Sequence, residues 1–158
     1  MKIGKFFFAA SAASVVALGA TELSAQNFTY NSADTTSTAI GGPDMRGNPI
    51  VGTYATGTSS VTWADGKKTV DKYTCIGTTQ PASDKIFDVH TICDAGNSEG
   101  TYSAVFGCQF TSKDMKAIGC VGGLTGRTGK YAGMGGTITF SGKGGSGSGT
   151  GTWTPAAN

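Results

Sequence analysis

The chain contains one histidine, His90, and no CxxC pair. Zinc sites draw on several nitrogen and sulfur ligands at short spacing, so no metal is expected. None of the GxxG spacings is followed by GK[ST] or by a helical pattern, which argues against a phosphate-cradling loop. No GxSxG occurs, so the nucleophile elbow of a Ser/His/Asp hydrolase is missing. Leu124 is the only leucine after residue 25. Nowhere do apolar residues recur at three-to-four spacing over several turns, which speaks against helices. Basic residues cluster only at Lys67–Lys68, beside a predicted turn, and nucleic acid is therefore not an expected partner. No feature calls for a cofactor.

The first 25 residues read as a secretory leader rather than as part of the fold. "MKIGK" supplies two lysines, "FFFAASAASVVALGA" is uncharged, and "TELSA" ends in small residues, with Ala25 the expected last residue removed. The mature protein should then be exported to the periplasm or beyond, with no membrane span. Lys2, Lys5 and Glu22 leave with the leader, so the 12 basic and 10 acidic residues of the whole chain fall to ten and nine. The remaining length suits one domain.

Short runs with period-two alternation, separated by glycine, proline and aspartate, predict an all-β domain over residues 49–158. "NPIVGTYATGTSSVTW" and "KTVDKYTCIG" form a hairpin around Asp65-Gly66, where positive φ is easily reached. "KIFDVHTICD", "EGTYSAVFGCQF", "KAIGCVGG" and "GTITFSG" follow as strands. "SGSGTGTWTP" is expected as the last strand, its glycines allowing a close neighbour. Residues 26–48 show one weak strand at best and are expected to be a loosely held arm. About eight antiparallel strands at steady spacing imply a sandwich or a closed barrel, and closure removes exposed edges in a chain with only four prolines.

Cys75, Cys93, Cys108 and Cys120 make an even set in an exported chain, which predicts disulfides. Cys75 and Cys93 are symmetric about Asp84, and Cys108 and Cys120 about Asp114, so each pair lies across one predicted hairpin. The pairing expected is Cys75–Cys93 and Cys108–Cys120. Strand parity puts Cys108 with Tyr102, Ala104, Phe106 and Phe110, Cys120 with Ile118, and Cys93 with Phe87, Val89 and Thr91. Sulfurs and bulky apolar groups thus share the inner face, while Asp88, His90, Ser103 and Gln109 face water. The expected lumen is lined by Tyr73, Phe87, Tyr102, Phe106, Phe110, Ile138 and Phe140.

The stretch "TGRTGKYAGMGGTITF" carries Gly126, Gly129, Gly133 and Gly136 around Tyr131. This pattern resembles the closing motif of the allene oxide cyclase and dirigent barrels, and the chain looks closest to bacterial exported proteins of that type with a cysteine pair upstream of a "GTGKYAG"-like run. Arg127 stands where those families have the second glycine of the leading pair. The likeness is sharp over residues 121–140 and diffuse before it. It implies an eight-stranded barrel, a homotrimer, and a lumen that takes a small hydrophobic molecule. On physical grounds Tyr131 can plug the barrel end beneath the connection. The glycines themselves supply positive φ for a tight connection.

Three functions follow. The first is a barrel that binds a small hydrophobic ligand. The second is a cyclase or isomerase using the same lumen, and the third is a structural or surface-interaction protein with a filled interior. The only near acid–base pair is Asp88 and His90, two apart on one strand, and parity places it outside the barrel. The family motif reports fold rather than activity, so no catalytic residue is carried over from it.

Overall fold

The structure, a computed structural model, describes residues 25–80 and 86–156. Eight strands run β1 (Gln26–Pro43), β2 (Pro49–Trp63), β3 (Lys68–Thr79), β4 (Val89–Asn97), β5 (Gly100–Phe110), β6 (Ala117–Gly126), β7 (Met134–Lys143) and β8 (Ser146–Pro155). Each pairs antiparallel with its neighbours in sequence, and β8 returns to β1 to close a barrel. Apart from these, one 3-10 turn spans Gly129–Tyr131. No helix among the described residues is long and apolar enough to cross a membrane. The proposed leader, apart from Ala25, and Asp84 lie outside the described residues.

The predicted hairpin closes as expected, with Thr62 opposite Lys68 and Gly66 at φ +85°. Both predicted disulfides form between directly opposed residues, Cys75 with Cys93 and Cys108 with Cys120. Their Cα separations of 4.1 and 4.0 Å lie near the ~4.5 Å of an opposed pair that exchanges no backbone hydrogen bonds. All four sulfurs face the interior.

The expected loose arm is instead a strand. Residues 26–43 form β1, the longest strand, and seal the barrel by pairing with β2 on one side and β8 on the other. Its inward alternation is real at Phe28 and Tyr30, both buried, but continues through Ser32 and Asp34, where the polar side chains disguise it. β8 leaves β1 at Ala33 opposite Ser146, whereas β2 follows it to Pro43 opposite Pro49. The β1–β2 hairpin therefore overshoots the rim. At the departure point the register shifts between Asp34 and Thr36. An extra residue of this kind bends the strand and resets its alternation, so Asp34 and Ser37 both turn into the lumen.

One end of the barrel is closed. Trp153, Tyr131, Leu124, Met134, Trp63 and Phe28 are buried there. Tyr102 meets Tyr131 and Trp153 edge-to-face, and Tyr131 tilts against Trp153, at centroid separations of 5.0 to 5.4 Å. Beside them Lys130 places its ammonium 3.9 Å from the Trp63 ring and bonds Glu99, which Lys67 also reaches. β8 contributes glycine at successive inward positions, Gly147, Gly149 and Gly151, before Trp153. The rings of Phe140, Tyr30 and Phe28 lie where those Cβ atoms would stand. The close neighbours that this strand admits are aromatic rings as much as backbone.

Candidate functional site

Above the aromatic floor the lumen stays open as a cavity of about 350 Å³. Its wall is divided by strand. Ser32, Asp34 and Ser37 come from β1, Thr53 and Ser59 from β2, Tyr73 from β3 and Thr91 from β4. Ala104, Phe106, Ile118, Ile138 and Phe140 come from β5, β6 and β7, with the Cys108–Cys120 bridge among them. In the closed strand order β1–β3 lie across the barrel from β5–β7. β1–β4 also carry Phe28, Tyr30, Ala55, Val61 and the Cys75–Cys93 bridge, so apolar groups line the cavity all round. Most of its serine and threonine hydroxyls and its one carboxylate lie on the β1–β4 side.

Two tyrosine–aspartate pairs stand on the inner surface. Tyr73 donates its hydroxyl hydrogen bond to Oδ1 of Asp34 over 2.7 Å. The ring reaches across Gly57, where a Cβ would stand 2.3 Å from the tyrosine oxygen. Burial first, then the hydrogen bond and charge of Asp34, hold Tyr73 protonated well above its usual range. Tyr102 donates to Oδ2 of Asp71 over 2.6 Å, and Asn97 Nδ2 donates to Oδ1 over 2.5 Å. Asp71 is 2 % exposed and does not line the cavity. Burial, then the Asp71 charge, keep Tyr102 protonated. The deeper pair belongs to the floor, and the outer one opens to the lumen.

Of the expected lumen residues, Tyr73, Tyr102, Phe106, Ile138 and Phe140 line the cavity, as do all four cysteines. Phe87 does not. It precedes the first paired residue of β4, so alternation does not fix its side, and its ring folds over Gly107 on the outer surface against His90, at a centroid distance of 5.6 Å. Phe110 ends β5 at the rim, in a separate recess with Val51, Val89 and Met115. His90 is exposed. Asp88 spends its carboxylate on the backbone N–H of Phe110 over 2.8 Å, and no hydrogen bond or ion pair joins it to His90 among the described residues. The weak catalytic candidates are therefore not brought together at a cavity.

The glycine motif is a floor bracket. Gly129 and Gly133 have φ of +60° and +72°. Gly136 packs so tightly on β8 that a Cβ would stand 2.1 Å from the carbonyl oxygen of Thr152. Tyr131, 1 % exposed, fills the barrel end. Arg127 adopts a turn in which its N–H bonds the Thr101 carbonyl and its guanidinium pairs with Asp94 at 3.1 Å.

Tyr30, Ser32, Asp34 and Ser37 are not among the lumen residues expected from the sequence, because they fall in the stretch 26–48 expected as an arm. The signal was present as Phe28, Tyr30, Ser32 and Asp34 at period two. Comparison with family models, curated proteins and solved structures finds no match for the chain.

Proposed function

We propose that the mature protein is an exported barrel that binds a small hydrophobic molecule in its lumen, and that it is a relative of the allene oxide cyclase and dirigent barrels. The observation that carries this reading is the open cavity above the Tyr131–Trp153 floor. At about 350 Å³ it falls within the range of ligand pockets, and its β5–β7 wall is apolar. A purely structural barrel would gain from filling that space, since unfilled interior forfeits packing energy. Export is supported by the leader pattern together with two disulfides. Self-association is supported by Tyr54, Ile76, Ile92 and Val105, an exposed apolar row of directly opposed residues across β2–β5.

The cyclase or isomerase reading is favoured by one feature. Asp34 and Tyr73 place a proton acceptor and a proton donor side by side on the cavity wall.

The test is binding of N-phenyl-1-naphthylamine, a neutral reporter that fluoresces in apolar surroundings, to the mature protein and to Ser59→Phe. Ser59 lines the cavity without being fully buried, so a ring there fills the lumen. Saturable binding that Ser59→Phe weakens at least about tenfold, or 1.4 kcal/mol, is expected. Absence of binding, or binding indifferent to Ser59→Phe, rules the lumen reading out.

A further inference from the structure

Asp34 is a half-buried carboxylate on the lumen wall with no cation in ion-pairing reach among the described residues. Its Oδ1 accepts from Tyr73, and its Oδ2 accepts from no side chain or backbone group among those residues. The backbone around it is fixed, because Asp34 N–H donates to the Gly145 carbonyl over 2.8 Å at the β7–β8 turn. Gly145 itself is at φ +80°, and a Cβ there would stand 2.9 Å from Oδ2. Glycine at this turn leaves that oxygen open. The site is therefore a held acceptor with one vacant coordination, at the polar side of an otherwise apolar cavity.

Resting on the lumen-binding reading, we propose that Asp34, oriented by Tyr73, is the head-group site of the cavity, and that it selects amphiphiles carrying a hydrogen-bond-donating head, an alcohol or a primary amine, against carboxylates. The tail of such a ligand lies on Phe106, Ile138 and Phe140 across the barrel. Its O–H or N–H donates to Oδ2 of Asp34, and the hydroxyls of Ser37 and Thr53 lie on the same wall.

The competing head is an anion held by Lys116 and Lys143, which also line the cavity at its rim. Both are exposed, and a carboxylate bound there stays in water and gains little. A donor reaching Asp34 makes a charge-assisted bond in a part-dry setting, which is the stronger interaction. A carboxylate pushed to the same depth would meet Asp34 as a like charge. The wall therefore discriminates by repulsion as well as attraction.

Displacement of N-phenyl-1-naphthylamine by decanol, decylamine and decanoate, below their micelle concentrations at neutral pH, tests the assignment. Chain length is constant, so only the head differs. On the unaltered mature protein decanol and decylamine should displace the reporter at concentrations about tenfold below decanoate. In Asp34→Asn, with each displacement corrected for that variant's own reporter affinity, the alcohol and carboxylate should come within about twofold of each other. Decanoate equal to or better than decanol on the unaltered protein overturns the head-group site and leaves the lumen reading standing. Decylamine and decanoate are both singly charged at neutral pH, so their comparison is free of the cost of desolvating a charge. Decanoate equal to or better than decylamine overturns the site even if Asp34→Asn fails to fold. A preference that survives in folded Asp34→Asn also overturns the assignment. No reporter binding at all removes the lumen reading and the head-group site together.

Discussion

A Cβ on Gly126 would stand 1.6 Å from the carbonyl oxygen of Tyr131, far inside van der Waals contact. The two backbones touch because the chain leaves β6, makes one 3-10 turn and pushes the Tyr131 ring back under the barrel. Gly129 meets the β4–β5 turn as closely, with the Glu99 carbonyl oxygen 2.0 Å from its missing Cβ. Gly133 has positive φ but nothing within 4 Å. Gly126→Ala and Gly129→Ala must displace the plug and should each cost about 3 kcal/mol or more. Gly133→Ala bears backbone strain alone, about 1 kcal/mol. Denaturant midpoints of the three variants give the ranking, and a Gly133→Ala as damaging as Gly126→Ala would contradict the bracket.

The barrel, the two disulfides and the role of the glycine motif were legible because each leaves a local mark. Paired cysteines equidistant from a turn residue report a hairpin register, and clustered glycines before "TITF" report a tight connection. β1 was not legible because its signal is spread over a strand that turns polar half way. Ser32 and Asp34 sit at inward positions, where alternation rules expect apolar groups, and the shift before Thr36 breaks the count. The same polar inward residues make up the candidate site, so the feature that hid the strand is the one that gives the lumen its chemistry. Phe87 departs from its expected inward place for the opposite reason. It lies two residues before Val89, the first ladder residue of β4, and just beyond Asp88, whose backbone still bonds Gln80 and Cys108, so alternation does not reach it.

Asp71 accepts from both Tyr102 and Asn97 while 2 % exposed. Asp71→Ala strands two buried donors, and the loss should be about 3 kcal/mol or more. Asp71→Asn keeps one acceptor and should fall between Ala and the parent. Urea unfolding of the series checks this. If Asp71→Ala costs less than Asp71→Asn, the network is not holding the floor.

Tyr30, Tyr73, Tyr102 and Tyr131 all have hydroxyls raised above their usual range, with burial the largest cause in each. A raised folded-state value means the unfolded chain loses its protons first as pH climbs. The stability tied to these groups is therefore intact below about pH 10 and is lost progressively above it. Thermal midpoints should hold steady up to that point and then fall. Ionisation of these four tyrosines, followed by tyrosinate absorbance, should accompany loss of near-ultraviolet circular dichroism. Ionisation of all five tyrosines with the barrel intact would show that the four are not buried as described.

His90 and Asp88 provide the sharpest contrast with Asp34. His90 is exposed and edges onto Phe87 outside the barrel, while Asp88 is committed to the Phe110 N–H. A titratable group used in chemistry is normally tuned by partial burial in a cavity, and neither residue lines the lumen. His90→Ala removes one edge contact and should change stability by about 0.5 kcal/mol or less. Asp88→Asn retains a carbonyl acceptor for the Phe110 N–H and should be similarly mild. Reporter affinity should stay within about twofold of the parent for both, far from the tenfold expected when Ser59→Phe fills the lumen. A large loss of turnover in His90→Ala, on any epoxide or phenolic substrate that the parent converts, would move the chemistry to the outer face and away from Asp34. With the imidazole exposed on the outer surface and the carboxylate already engaged, the geometry gives that outcome no route.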